Sequence, residues 1–209
     1  MNPQTLKEAK AIFKAVRNKG AVICPPFVYL KELSSFKRSL APCGAQDVFW
    51  EDSGAYTGEI SPLMLKDMEV EYVILGHSER RKYFKETNEM ITKKLKAVLK
   101  VGLKPILCID RISQITKDIG NWKLEIGNLI IAYEPLFAIG TGKACSPQKA
   151  KGMRLAINKA AGQAPVLYGG SVDAQNARDY IKEAGFQGLL VGGASLNPKE
   201  FIDIIKNVC

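Results

Sequence analysis

Residues 129–143 have the sequence LIIAYEPLFAIGTGK, and the organisation of the chain follows from how this stretch is built. Its apolar first part, residues 129–133, predicts a buried strand. Glu134 follows at the strand end, and Pro135 restricts it to an extended conformation. The glycines of Gly140-Thr141-Gly142 allow a flexible end. Two interpretations fit: a plain strand-to-helix loop with a solvated glutamate, or a base beside a hinged lid, residues 135–143, that excludes water.

The same arrangement, a short apolar strand followed by a helix, repeats along the chain. Such alternation predicts a parallel sheet covered by helices, in a single domain over residues 1–209. An open doubly wound sheet and a closed (β/α) barrel both fit it. Seven strands are predicted, at residues 21–24, 43–47, 72–75, 105–109, 129–133, 165–168 and 188–191. Helices are predicted at residues 3–18 with Asn2 as N-cap, 28–38, 61–68, 87–100, 147–160, 174–183 and 198–207, with a shortened connection over 110–127.

Polar and glycine-rich clusters follow four of the predicted strands. They are GHSERR at 76–81, YEPLFAIGTG at 133–142, YGGS at 168–171 and VGGAS at 191–195. A barrel brings the carboxyl ends of all its strands to one mouth, whereas an open sheet spreads them along an edge. The clusters therefore favour the barrel.

Composition and charge narrow the class of protein. The sequence is 46% hydrophobic and 24% charged, which is typical of a globular domain, and it has no apolar run long enough to span a membrane. Five widely spaced cysteines without a CxxC motif indicate the reducing cytoplasm and argue against a zinc or disulfide framework. The net charge of +9 is spread along amphipathic segments without a nucleic-acid motif, which favours a solvated helical surface over a nucleic-acid interface and is compatible with a small phosphorylated ligand.

His77, the only histidine, follows the predicted strand at 72–75, and Ser78-Glu79 begin a helix behind it. The positive end of a helix dipole disfavours the imidazolium, so a neutral ring could donate a hydrogen bond to a carbonyl. A structural histidine is the competing interpretation.

Gly169-Gly170-Ser171 and Gly192-Gly193 follow the last two predicted strands. Backbone N–H groups in such loops can approach an anion closely, because glycine has no Cβ, and Ser171 adds a hydroxyl donor. Paired glycines are also ordinary turn material. Their occurrence in two successive loops indicates a phosphate site.

These motifs together resemble the triosephosphate isomerase family. GHSERR, AYEPLFAIGTGK, YGGSV and VGGASL stand in the family's order, and residues 44–61 resemble its third strand and interface loop. The family is itself a standard example of a glutamate base paired with a neutral histidine. The resemblance implies a TIM barrel that interconverts dihydroxyacetone phosphate and glyceraldehyde 3-phosphate in glycolysis and gluconeogenesis, without metal or organic cofactor.

The resemblance also implies a role for each site residue. Glu134 would move the proton, His77 would polarise the substrate oxygens, and Glu79 would complete the catalytic group. The phosphate would be bound by Gly140, Ser171, Gly192 and Gly193, under the lid at 135–143. In the lid, Leu136-Phe137 replaces the family's usual Val-Trp.

The sequence departs from the family at its start. Met1-Asn2-Pro3 comes directly after the position of the family's Asn-x-Lys motif. The resemblance therefore implies a barrel of seven parallel strands that lacks the first strand, its substrate-binding Asn and the catalytic lysine, with incomplete or rearranged closure. A late start assignment and a natural minimal protein both explain this. Activity would then be weak or lost, and Lys143 and Arg80 are the nearest substitutes for the lysine.

Two further expectations follow from the resemblance. Residues 55–59 resemble the family's dimer loop, so a homodimer is expected, with an interface weakened by the missing motif. A non-catalytic phosphate-binding or interaction protein on the same scaffold is the alternative function, and another phosphate-binding barrel enzyme is a third.

Overall fold

The computed structural model describes residues 1–35, 41–115 and 128–209 of the chain. These residues form two compact units: the N-terminal unit, residues 2–107, and the C-terminal unit, residues 108–209 together with Met1. Parallel strands alternate with helices in each, which confirms the predicted α/β class. Every helix in the described ranges is too short or too polar to cross a membrane.

The N-terminal unit contains three parallel strands. Strand β2 pairs with β1 on one side and with β3 on the other, and Val73 lies opposite both Ala45 and Pro105. The strands are β1 (Gly44–Ala45), β2 (Tyr72–Leu75) and β3 (Lys104–Ile109), whose last two residues belong to the C-terminal unit. The helices are α1 (Leu6–Val16), α2 (Phe27–Ser35), α3 (Pro62–Asp67), α4 (Ser78–Tyr83) and α5 (Asn88–Lys100).

The C-terminal unit repeats this pattern. Strand β5 pairs in parallel with β4 and with β6. The strands are β4 (Ile130–Tyr133), β5 (Val166–Tyr168) and β6 (Gly188–Leu189), and the helices are α6 (Pro147–Ala161), α7 (Ala177–Lys182) and α8 (Pro198–Val208). Short 3-10 turns occupy Ile112–Gln114, Leu136–Ala138 and Gly193–Leu196.

Six of the seven predicted strands are present in the described ranges, and the remaining one is reduced. At residues 21–24 the pairing consists of one parallel bridge between Ile23 and Cys43. Pro25 and Pro26 follow at once, and proline has no N–H to extend a ladder. Parts of two other predictions, residues 36–38 of the second helix and 116–127 of the shortened connection, lie outside the described residues.

The predicted N-cap of α1 was wrong. Thr5, not Asn2, caps the helix, because its hydroxyl accepts the Glu8 N–H at 3.2 Å. The Glu8 carboxylate accepts the Thr5 N–H at 3.3 Å and completes a capping box. Two orphan donors of the helix start are satisfied in this way, so Asn2 and Pro3 lie before the helix.

A group of four charged side chains, which we call the charge quartet, organises the N-terminal unit; Asp47, Glu86 and Lys94 are buried, and Arg80 is partly exposed. Lys94 of α5 contacts both oxygens of Asp47, at 2.7 and 2.8 Å, and also contacts Glu86. Arg80 of α4 binds Asp47 at 2.8 Å and Glu86 at 3.4 Å. Lys94 is only 3% exposed. Two cations therefore offset two carboxylates, and the quartet joins α4, α5 and the chain after β1.

Replacing Lys94 with methionine tests the quartet, since methionine keeps the apolar stem and removes the charge. Loss of one partner from a buried ion pair typically costs about 3–5 kcal/mol. We expect the free energy of unfolding in urea, near neutral pH, to fall by this amount. Lys100→Met is the control, because it breaks an exposed ion pair with Asp52, and it should change stability little.

The loss of unfolding free energy in Lys94→Met should depend on pH because of Asp47. Burial raises the pKa of this carboxyl above 3.8, while Lys94 and then Arg80 oppose the rise; removing Lys94 raises it further. A group whose pKa is higher in the folded state binds its proton more tightly there. The free energy of unfolding therefore falls as the pH rises from the group's pKa in the unfolded state to its pKa in the folded state. The deficit of Lys94→Met should therefore shrink on acidification towards pH 4, and a deficit independent of pH would contradict this account.

Candidate active site

Glu134 lies at the carboxyl end of β4 and is 2% exposed. Its N–H donates to the Ile109 carbonyl at 2.8 Å, while the Gly169 N–H donates to the Tyr133 carbonyl at 2.8 Å. The backbone around the glutamate is thus hydrogen-bonded on both sides. A solvated loop glutamate, one of the two interpretations of the sequence, is excluded by this burial.

Gly169 provides the space in which the Glu134 side chain lies. A Cβ at position 169 would be 3.1 Å from Glu134 Cγ and 3.4 Å from the Tyr133 carbonyl oxygen. The first distance is shorter than most real Cβ contacts, and the Tyr133 carbonyl belongs to the packed strand β4. A Cβ here would therefore push the Glu134 side chain by a few tenths of an ångström.

The lid, residues 135–143, begins as a 3-10 turn after Pro135, whose φ is −64°. Gly140 and Gly142 have φ values of 66° and 69°, which only glycine adopts readily, so the predicted permissive end is confirmed. Leu136 and Phe137 are more than half exposed, whereas Ala138 is buried. The lid therefore presents apolar bulk outward while its middle is anchored.

Ser171 forms that anchor. Its hydroxyl donates a short hydrogen bond to the Ala138 carbonyl, and its own carbonyl accepts from Asn176 Nδ2 at 3.2 Å. The predicted binding loop at 169–171 and the lid are thus joined by a direct contact.

The second predicted phosphate loop follows β6. Gly192 accepts the Ser195 N–H at 2.9 Å and Gly193 begins a 3-10 turn. No heavy atom among the described residues would lie within 4 Å of a Cβ at Gly140, Gly192 or Gly193. Since β5 and β6 are neighbouring parallel strands, the loops after them lie at the same edge of the sheet.

His77 and Glu79 lie in the N-terminal unit. Gly76, with φ 66°, leads from β2 into His77, which is the N-cap of α4. The Glu79 N–H donates to His77 Nδ1 at 3.3 Å, so a neutral ring carries its proton on Nε2 and can donate from there. The Glu79 carboxylate is 3.7 Å from Nδ1, too far for a hydrogen bond, and is 54% exposed.

Arg80 does not have the role that the sequence suggested for it. Its guanidinium binds Asp47 and Glu86 of the charge quartet, so the interpretation of Arg80 as a substitute for the family's lysine beside Glu79 is wrong. Neighbouring Arg81 donates to the Gly76 carbonyl and to Asn88, both at 2.7 Å. The two arginines fix α4, and therefore the N-cap position of His77.

The sequence model of the family named triosephosphate isomerase matches residues 1–208. The chain belongs to the triosephosphate isomerase family. Its relatives include the triosephosphate isomerase of Dictyoglomus thermophilum, 41% identical over 97% of this chain and 91% of the relative. Those of Trichodesmium erythraeum and Caldanaerobacter subterraneus are each 44% identical, over 92% and 96% of this chain and 86% and 88% of theirs. Family membership supports the TIM fold over an open doubly wound sheet.

The sequence did not reveal the role of three residues near the end of the lid. The Cys145 N–H donates to the Tyr168 hydroxyl at 3.2 Å, and the Tyr180 hydroxyl donates to the Cys145 carbonyl at 2.6 Å. Tyr168 is the first residue of the YGGS motif, but Tyr180 occupies an apolar position of a helix. No local signal distinguishes a tyrosine that anchors a hinge from one that fills a core.

Gly169→Ala tests the fit around Glu134. The backbone of Gly169 is not left-handed, so alanine is tolerated there and its methyl acts mainly by displacing the glutamate. Misplacing a reacting group by about 1 Å can cost about 100-fold in rate, so a shift of a few tenths of an ångström should lower isomerase turnover about two- to fivefold. Gly152→Ala, in the open interior of α6, is the matched control and should leave turnover unchanged. Equal activities for the two variants would contradict this role of Gly169.

Proposed function

We propose that this chain interconverts dihydroxyacetone phosphate and glyceraldehyde 3-phosphate through an enediolate, acting over residues 1–209 as one TIM-barrel domain. The observation that carries the proposal is Glu134: a buried carboxylate at a strand end, next to a lid whose middle is held by Ser171. A base in a site shielded from water suits proton abstraction next to a carbonyl, because exclusion of water protects the intermediate.

Glu134 moves the proton in this proposal. It takes a proton from the carbon next to the carbonyl, forming the enediolate, and returns it to the adjacent carbon. The side chain must reach both carbons without rotating away, and the steric limit set by Gly169 supports this. Small errors in such positions have large kinetic effects.

His77 is proposed to donate to the substrate oxygens from Nε2. The Glu79 N–H at Nδ1 supports the neutral Nε2–H tautomer, which can donate and then exchange a proton with the enediolate oxygens. We assign Glu79 a place in the catalytic group as the residue whose backbone sets that tautomer.

The phosphate is proposed to bind at backbone N–H groups of Gly140, Ser171, Gly192 and Gly193. The open space beside the three glycines supports close approach of an anion. The net charge of +9 favours encounter with a negatively charged substrate. The lid, which contains Gly140, would close over the bound phosphate and retain the intermediate.

Glu134→Gln tests the chemistry, since it removes the base and keeps the shape of the side chain. General-base catalysis is typically worth about 100- to 10,000-fold, so we expect kcat to fall by at least 100-fold in a coupled assay. Glu183→Gln changes an exposed glutamate of the same unit and is the matched control. Equal activity of wild type and Glu134→Gln, with inorganic phosphate still bound, would favour a non-catalytic phosphate-binding protein instead.

The proposal extends to a cytoplasmic homodimer. Tyr56, 44% exposed, packs on Phe49 at 4.7 Å between ring centroids in the loop that resembles the family's dimer loop. In the same unit Leu63, Met64, Tyr83 and Phe84 are also exposed. Exposed apolar side chains mark an interface where they form a contiguous patch, and we propose these residues as its candidates.

Light scattering is expected to give twice the 23.0 kDa mass of one chain. Tyr56→Asp should shift the protein towards monomer, because it places a charge in the proposed interface. Leu155→Asp, which changes an exposed leucine on α6, serves as the control and should leave the mass unchanged. A monomer for the wild type at high concentration would refute the dimer.

A further inference from the structure

Cys145 lies two residues after the end of the lid and is hydrogen-bonded by two tyrosines. We call this residue the rear hinge. Cys145 directly precedes Ser146, the N-cap of α6, and follows the flexible segment that contains Gly142. Tyr168 accepts the N–H of Cys145, and Tyr180 donates to its carbonyl. Both backbone polar atoms of this one residue are therefore bound by side chains.

The two tyrosines form a rigid pair. Their rings stack with centroids 3.7 Å apart and planes 15° apart, and Phe186 packs edge-on against Tyr168 at 5.5 Å. Tyr168 is fully buried and Tyr180 is 1% exposed. Tyr168 comes from the end of β5 and Tyr180 from α7, so the pair fixes Cys145 to two elements of the C-terminal unit.

We propose that Tyr180 is a positioning residue for the lid, and that its hydroxyl holds the rear hinge at Cys145 in the conformation that closes the lid. The hydrogen bond of 2.6 Å is the shorter of the two at Cys145. Without it a buried carbonyl loses its donor, which penalises this conformation of the hinge. Tyr180 acts through the lid and does not contact the reacting atoms.

The protonation state of the pair supports a lasting contact. Burial raises the pKa of Tyr180 above its usual range, and burial followed by the Tyr180 hydroxyl raises the pKa of Tyr168. Both hydroxyls therefore keep their protons at neutral and mildly alkaline pH, so Tyr180 remains a donor over the range in which the experiment below is run.

Tyr180→Phe removes the hydroxyl and keeps the ring stack, and Cys145 itself reports the result. Cys145 is 2% exposed, so alkylation of its thiol by iodoacetamide requires the hinge to open. We expect Cys145 labelling, followed by peptide mass spectrometry, to accelerate about fivefold, the factor for one ordinary hydrogen bond. Cys43 and Cys108 are fully buried and report opening of the whole protein, so their rates should stay unchanged.

Tyr29→Phe is the matched control, because it also removes a hydroxyl that donates to a backbone carbonyl, that of Gln4 at 3.0 Å. It should leave Cys145 labelling at the wild-type rate. An unchanged Cys145 rate in Tyr180→Phe would overturn the proposal. A parallel rise at Cys43 and Cys108 would overturn it as well, since Tyr180 would then only stabilise the fold.

The consequence for turnover rests on the proposed function. If the lid closes over the intermediate, Tyr180→Phe should lower kcat about fivefold and change KM less than about twofold, since substrate binds before closure. Faster Cys145 labelling with unaltered kcat would overturn the role in closure. The labelling needs no turnover, so a wild-type protein without isomerase activity would reject the proposed function separately.

Discussion

Backbone hydrogen bonds on both sides of β4's carboxyl end fix the site in the C-terminal unit. The Glu134 N–H donates to the Ile109 carbonyl and the Tyr133 carbonyl accepts from the Gly169 N–H, so these two bonds set the position at which the glutamate leaves the strand. A slip of one residue would turn the side chain to the opposite face. The position of the carboxylate is therefore a consequence of strand register, which the buried apolar side chains of β4 and β5 enforce.

The lid begins at the end of β4, but side chains hold it in place of strand hydrogen bonds. Few of its backbone groups can join the sheet, because Pro135 lacks an N–H and the glycines favour other conformations. Side chains from other elements replace the ladder: Ser171 at Ala138, and the tyrosine pair at Cys145. A segment anchored at a few points opens at a lower free-energy cost than a strand in a sheet, and this difference suits the closing lid and the rigid base that we propose.

Buried polar groups in the N-terminal unit are also held by side-chain contacts. The two carboxylates of the charge quartet can be buried because each of them contacts two cations. Its Arg80 lies one turn after His77, so the helix whose start sets the histidine tautomer is fixed by ion pairs. A network of this kind adds less to stability than an apolar core of the same volume would, but it defines the orientation of α4 against α5.

The sequence alone determined the alternation of strands and helices, the strand-end glutamate, the histidine at a helix start and the glycine loops, because each depends on local periodicity or backbone geometry. Lys94 on the buried face of α5 and Arg80 in the quartet could not be assigned from local pattern, since their partners lie elsewhere in the chain. The same holds for Tyr180, whose hydroxyl meets a carbonyl 35 residues away. Only the tertiary structure decided these contacts, because hydrogen bonds and ion pairs between distant residues depend on packing and not on spacing in the sequence.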